Sequence, residues 1–174
     1  MQEEARIEEG LRSIDRDEVL RVMNELEGLL RVKAWSGPIP IPICESLGSA
    51  DPEMRMKAAW LVGKFAQNKI AAELPLEAVV VLASDPEEET RENVAWAIGE
   101  AAGAGQGGIF EAEAMMRLLD DESAQVRGMA AWALGRLAEK RHVRLPSEEA
   151  KLKSLLGDHS EYVRKTSAWA LERF

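Results

Sequence analysis

Apolar positions along the chain fall into two alternating kinds of segment. Short ones, at Ile43–Leu47, Leu76–Leu82, Ala112–Leu119 and Leu152–Leu156, each run into a polar turn. Each turn precedes a longer stretch whose apolar residues repeat at helical spacing. With Val126 as origin and about 100° per residue, Ala130, Ala133, Leu134 and Leu137 share a sector roughly 100° wide. No alternation of β-branched residues competes with helix. Pro40 or Pro42, Pro75 and Pro146 fall near the starts of the short helices, where a missing amide hydrogen costs little. The pattern predicts helix–turn–helix units in an almost wholly helical chain.

Residues 1–34 lie outside this alternation. Val19, Val22, Met23, Leu26, Leu29 and Leu30 form one stripe, and Asp15 or Asp17 is placed to cap a helix reaching about Lys33. This helix is expected to cap the stack and pair with the helix near residues 40–49. In "SGPIPIPIC" the prolines occupy alternate positions, which predicts a turn and a Pro-started helix with packed isoleucines. Trp35 is expected to pack in the cap.

A period accompanies the units. Trp60, Trp96, Trp132 and Trp169 are spaced by 36, 36 and 37 residues, and Arg55, Arg91, Arg127 and Arg164 each stand five residues before one of them. Asp85, Asp121 and Asp158 stand eleven residues before the last three tryptophans. Asp51 stands nine before the first, which reads as a turn two residues shorter. A guanidinium presents a rigid fork of donors, so Asp–Arg links within or between units would fix their stacking. Alanines at 58/59, 95/97, 130/131/133 and 168/170 suit close helix packing. A single helix pair cannot bury its apolar face alone. The expected fold is all-α: a right-handed α-solenoid of about four stacked helix pairs with an N-terminal capping helix. It forms one domain over 1–174. Residues 1–49 make the cap and first pair, 51–84, 85–120 and 121–157 are repeats, and 158–174 is the final Trp-bearing helix.

Trp132 falls at about 240° on the same wheel, outside the core sector and beside Met129 and Arg136. The matching surface elsewhere carries Met56, Lys57, Trp60 and Lys64, then Glu92, Asn93, Trp96 and Glu100, and finally Lys165, Thr166, Trp169 and Arg173. Two uses of this row are open. The indoles can lie flat between neighbouring helices, or they can anchor a protein partner, since Trp combines large apolar area with one donor.

The segments "DPEMRMKAAWLVGK", "DPEEETRENVAWAIGE", "DESAQVRGMAAWALGR" and "DHSEYVRKTSAWALER" share Asp, Val-Arg and Ala-Ala-x-Ala-Leu-Gly. Thr90 replaces the valine in one and Glu172 the glycine in another. Over about residues 40–174 the pattern resembles HEAT-like repeats, especially the short form of phycobilisome-lyase-type repeats and of designed proteins of that class. The resemblance implies that the Trp-bearing face lines a concave surface used for binding proteins. It also implies two lesser readings, an accessory subunit of a lyase or other modification enzyme, and a DNA-lesion binder.

Charge narrows these. A net charge of −9 and a pI near 4.9 disfavour nucleic acid or an anionic membrane as partner. The basic run "EKRHVR" at 139–144 is too short to reverse that sign. Cys44 is the only cysteine, so no internal disulfide forms. No signal-peptide pattern or bilayer-length apolar run is present, and a cytoplasmic location is expected. His142, His159 and Cys44 lie too far apart along a linear stack to share a metal, and no nucleophile motif occurs. "GAGQGG" at 103–108 lacks the Lys-Ser/Thr of a phosphate loop and reads as a flexible link. No enzyme activity or cofactor is expected. At the C-terminal end, Leu171 and Phe174 are expected to close the stack locally, or to pack against a second copy or a further domain.

Overall fold

The computed structural model describes residues 2–70 and 73–174. Among the described residues ten α-helices follow one another: α1 Gln2–Leu11, α2 Arg16–Arg31, α3 Ile41–Ser46, α4 Pro52–Asn68, α5 Leu76–Val81, α6 Glu88–Gly103, α7 Ile109–Leu118, α8 Ala124–Arg141, α9 Glu148–Ser154 and α10 Glu161–Leu171. Among the described residues there is no strand. No described helix is long and apolar enough to cross a membrane.

The even-numbered helices are long and pack in series, α2 on α4, α4 on α6, α6 on α8 and α8 on α10. Each short odd-numbered helix packs on the long one that follows it. The result is a solenoid of five helix pairs, with the core between the two layers. Alanines let the long helices approach closely. Ala58, Ala59, Ala95, Ala97, Ala130, Ala131, Ala133 and Ala170 are buried, whereas Ala168 of α10 is exposed.

The N-terminal cap is itself a pair. Ile7 and Leu11 of α1 are buried, and α2 packs on α1 and α4 rather than mainly on α3 as the sequence suggested. Asp15 is the N-cap of α2, accepting from the Asp17 N–H. Of the isoleucines in the Pro-rich run, Ile43 is fully buried, but Ile41 is 64% exposed because it opens a six-residue helix on its outer side. Trp35 is buried, its indole N–H donating to Gly37 O at 2.8 Å. At the other end Leu171 and Phe174 pack partly buried against the core, and the Arg144 guanidinium sits 5.5 Å from the Phe174 ring. The basic run is used in bracing: Arg141 Nε donates to Gly107 O and Arg144 to Arg173 O. The glycine-rich link is a built turn, with Gly105 and Gly107 at positive φ and Gln106 Oε1 accepting from the Leu74 N–H.

Thr90 and Glu148 are among the buried polar groups that lack a partner. Thr90 is fully buried where Val126 and Val163 stand in later repeats, and its hydroxyl finds no partner. An unpaired hydroxyl costs about 1–3 kcal/mol in burial. Thr90→Val keeps the shape and removes that cost. It should stabilise the protein by about 1 kcal/mol, and an unchanged or lower melting temperature would contradict this.

Glu148 is also fully buried. One carboxylate oxygen accepts from the Leu145 N–H at 2.6 Å, as Glu111 does from Gly108 at 2.7 Å, but its other oxygen has no partner. Burial pushes its pKa up to about 7 against the smaller pulls of the Leu145 N–H and Arg144. A raised folded-state pKa means the contribution is fully present below the unfolded value of 4.5 and is lost as pH rises through about 7. Glu148→Gln should therefore melt near wild type at pH 5 and above it at pH 8, by up to about 3 kcal/mol. A pH-independent difference in melting temperature would sink this assignment.

Candidate functional site

Two ladders run along the long helices, and the first holds the second in place. Arg55, Arg91, Arg127 and Arg164 each donate Nη1 to the two carbonyls at the start of their own turn. These are Ser49 and Ala50, Asp85 and Pro86, Asp121 and Glu122, and Asp158 and His159. The remaining edge of each fork reaches the next repeat. Arg55 Nε meets Asp85 at 2.6 Å, Arg91 meets Asp121 at 2.7 Å, and Arg127 meets Asp158 at 2.9 Å. Nη2 completes each pair, at 3.3, 3.0 and 3.0 Å. The links thus run between repeats, in one direction. Each Asp also accepts the N–H two residues on, from Glu87, Ser123 or Ser160.

These contacts set the carboxylates' ionisation. Burial pushes Asp85 and Asp121 up, but the guanidinium hydrogen bond, the backbone N–H and two neighbouring arginines hold both below the usual aspartate value. For Asp158 the Arg127 hydrogen bond is the largest influence and its pKa is also lowered.

Asp51 does not belong to this series. It is the N-cap of α4, accepting from Glu53 and Met54, in the place that Glu87, Ser123 and Ser160 hold later. The position of Asp85 is filled by Ser49, whose carbonyl receives Arg55 and whose hydroxyl accepts the Asp51 N–H. The first turn is thus the same length, with Ser in place of Asp. Asp51 instead pairs with Arg16 of α2, which also reaches Glu53 at 2.5 Å. Arg16 lies outside the periodic pattern, and no sequence signal marked it.

The second ladder is the tryptophans, all four partly buried. Three of the rings rest on the preceding long helix at the glycine three residues after that helix's own Trp. Trp96 covers Gly63, Trp132 covers Gly99 and Trp169 covers Gly135. A Cβ on Gly135 would stand only 2.6 Å from Trp169 Cζ3, and the other two seats are tighter. The repeated Gly of the signature is thus an indole seat, and Glu172 stands at that position on the last helix. Trp60 has no such seat: the Glu27 carboxylate of α2 binds its side chain and also Lys57 Nζ at 3.0 Å. Burial pushes Glu27 up, but those two partners hold it below the usual glutamate value.

The outer surfaces of the rings meet cations of the same chain. Lys64 Nζ lies 5.1 Å from the Trp60 centroid and 5.6 Å from that of Trp96. Arg136 lies 5.5 Å from Trp132 and Arg173 3.5 Å from Trp169. Trp60 and Trp96 stack at 4.4 Å with planes 24° apart. Between Trp132 and Trp169, by contrast, is an open cleft of about 330 Å³ lined also by Lys165 and Thr166.

The flanking residues divide. Asn93 is buried with its amide donating to Met56 O, so it braces two helices. Met129 packs partly buried against the core. Met56, Lys57, Glu100, Arg136, Thr166 and Arg173 keep part of their surface open. Among the described residues no group of three or more His, Cys, Asp or Glu is placed to hold a metal.

Comparison with known proteins agrees with this geometry. A family model described as HEAT repeats matches residues 112–174. A designed armadillo repeat protein in complex with the peptide (KR)4 is similar at a TM-score of 0.72 and 24% identity, over 97% of this chain and 80% of that one. An engineered protein matches at 0.72 and 20% identity, over 96% and 77% of the two chains. Computationally designed armadillo repeat proteins for modular peptide recognition match at 0.68 and 22%, over 97% and 80%. The fold is a HEAT/ARM-type α-solenoid. No curated protein matches the sequence.

The seats predict opposite outcomes for one substitution at two glycines. Gly99→Ala drives a methyl into Trp132 and should cost about 1–3 kcal/mol, with a shift in tryptophan emission as the ring is lifted. Gly28→Ala, mid-helix with nothing within 4 Å, should stabilise by about 0.5–1 kcal/mol. Equal melting shifts for the two would contradict the seating.

Proposed function

We propose that this chain is a non-enzymatic protein-interaction module that binds a protein or peptide along the face carrying Trp60, Trp96, Trp132 and Trp169. The supporting observation is the double use of each ring. One part is fixed on the neighbouring helix and another part remains open, in a row, beside charged side chains. Rings already immobilised lose little entropy on binding, which suits hot-spot anchors. Met56, Lys57, Glu100, Met129, Arg136, Thr166 and Arg173 surround the anchors and select the partner. Asn93 supports the face from behind. Arg55, Arg91, Arg127 and Arg164, with Asp85, Asp121 and Asp158, hold the repeats in register. On this reading the face lines the concave side of the solenoid, and structures of similar fold include computationally designed armadillo repeat proteins for modular peptide recognition. No observation favours the lyase-accessory or DNA-lesion readings.

The test compares affinity capture on immobilised wild type and on Trp96→Ala/Trp132→Ala, the variant first shown by circular dichroism to remain helical. A stoichiometric protein held by wild type and lost by the variant is expected. Equal retention on both would move the interface to another face.

A further inference from the structure

The four rungs of the Trp face are not equivalent. At the N-terminal end Trp60 and Trp96 stack on each other, and Lys64 covers both rings. The stacked pair leaves no cleft between its two rings. At the C-terminal end the cleft between Trp132 and Trp169 is open, and Lys165 and Thr166 complete its lining.

The charge around that cleft runs against the charge of the chain. Arg136 lies over Trp132, donating Nε to Gly99 O at 3.2 Å, and forms no ion pair among the described residues. Arg173 lies over Trp169, and its Nε has no hydrogen-bond acceptor. Its nearest carboxylates, Glu139 and Glu172, stand at 3.9 and 3.7 Å. Lys165 is 73% exposed and pairs only with Glu161 one turn away, a surface pair that exchanges readily for another carboxylate. One cation, Lys165, therefore lines the cleft, and two more, Arg136 and Arg173, stand over the two rings that bound it, in a protein of net charge −9.

A ring whose open face already holds a cation attracts a second one poorly, because like charges repel across it. Building on the interaction-module reading, we infer that the Trp132–Trp169 cleft takes an acidic peptide segment. One apolar or aromatic side chain enters between the two indoles, and flanking carboxylates meet Arg136, Lys165 and Arg173. The site is thus opposite in charge preference to one that would take a basic peptide such as (KR)4, which accompanies a similar designed protein. Guanidinium groups that lie flat on a ring still present their edges, so carboxylate and indole recognition combine at one place.

The experiment is selection of a random twelve-residue peptide library on the wild-type protein, followed by anisotropy titration of the enriched peptides. Two variants carry the test. Thr166→Tyr fills the cleft without touching a ring seat, and Arg136→Glu reverses one charge at its rim. Both are checked for unchanged melting before use. Enriched peptides should place Asp or Glu beside Phe, Leu or Trp. They should lose binding to Thr166→Tyr and weaken about tenfold or more on Arg136→Glu. Basic peptides lost on Thr166→Tyr would overturn the charge assignment and leave the binding face standing. Peptides that bind both variants as they bind wild type would overturn the cleft, and a selection that enriches no peptide on the wild-type protein would remove the face as a peptide site altogether.

Discussion

Each central repeat is fastened to the next by one arginine that holds two turns at once. Arg91 satisfies the carbonyls of its own turn with one nitrogen and grips Asp121 of the following turn with the other two. Arg55 and Arg127 do the same with Asp85 and Asp158. The carboxylates are nearly buried, with side-chain exposures of 2, 7 and 9%. Removing two charges from water is costly and is offset only when geometry is good and the remaining donors and acceptors are filled. Here the fork is bidentate, its third nitrogen is occupied, and the Asp takes a further N–H. A shift of one repeat against the next would break all of these together, so the ladder fixes spacing and rotation between long helices.

That fixed spacing makes the tryptophan row possible. An indole can lie on a neighbouring helix only where no Cβ intervenes and where the helix is held at the right distance. Gly63, Gly99 and Gly135 supply the first condition and the Arg–Asp links the second. Packing and partner contact are therefore compatible uses of the same ring rather than alternatives. The seat immobilises one part of the indole, and the rest, overlaid by Lys64, Arg136 or Arg173, forms the floor of the proposed site.

Much of this was legible because it is periodic. Four Arg-x4-Trp spacings and three Asp-x5-Arg spacings predicted the stack and the existence of the ladder. The spacing alone did not tell whether a link stays inside a repeat or crosses to the next, because an arginine reaches either way. Where the period lapses, the reading slipped. Ser49 does the work of Asp85 with its carbonyl and hydroxyl, whereas the nearby Asp51, which carries the residue type of the motif, is an N-cap. Helix α1 buries only Ile7 and Leu11 and carries none of the signature residues, so it left no repeat signal. The glycine after each Trp was visible as part of the motif. Its function depends on a ring one full period later, and that contact is tertiary. The same holds for the cleft at Trp132 and Trp169: one Trp spacing describes both the stacked rung and the open one.

The central claim is that the arginine ladder couples successive repeats, and a double-mutant cycle on Arg127→Ala and Asp158→Ala measures it directly. Equilibrium unfolding of wild type, both single variants and the double variant isolates the pairwise term. The bidentate, largely buried geometry predicts that each single variant loses about 3 kcal/mol and that the coupling is about 2 kcal/mol or more. Single losses that simply add, with coupling near zero, would show that the repeats are held by apolar packing alone and would contradict the account.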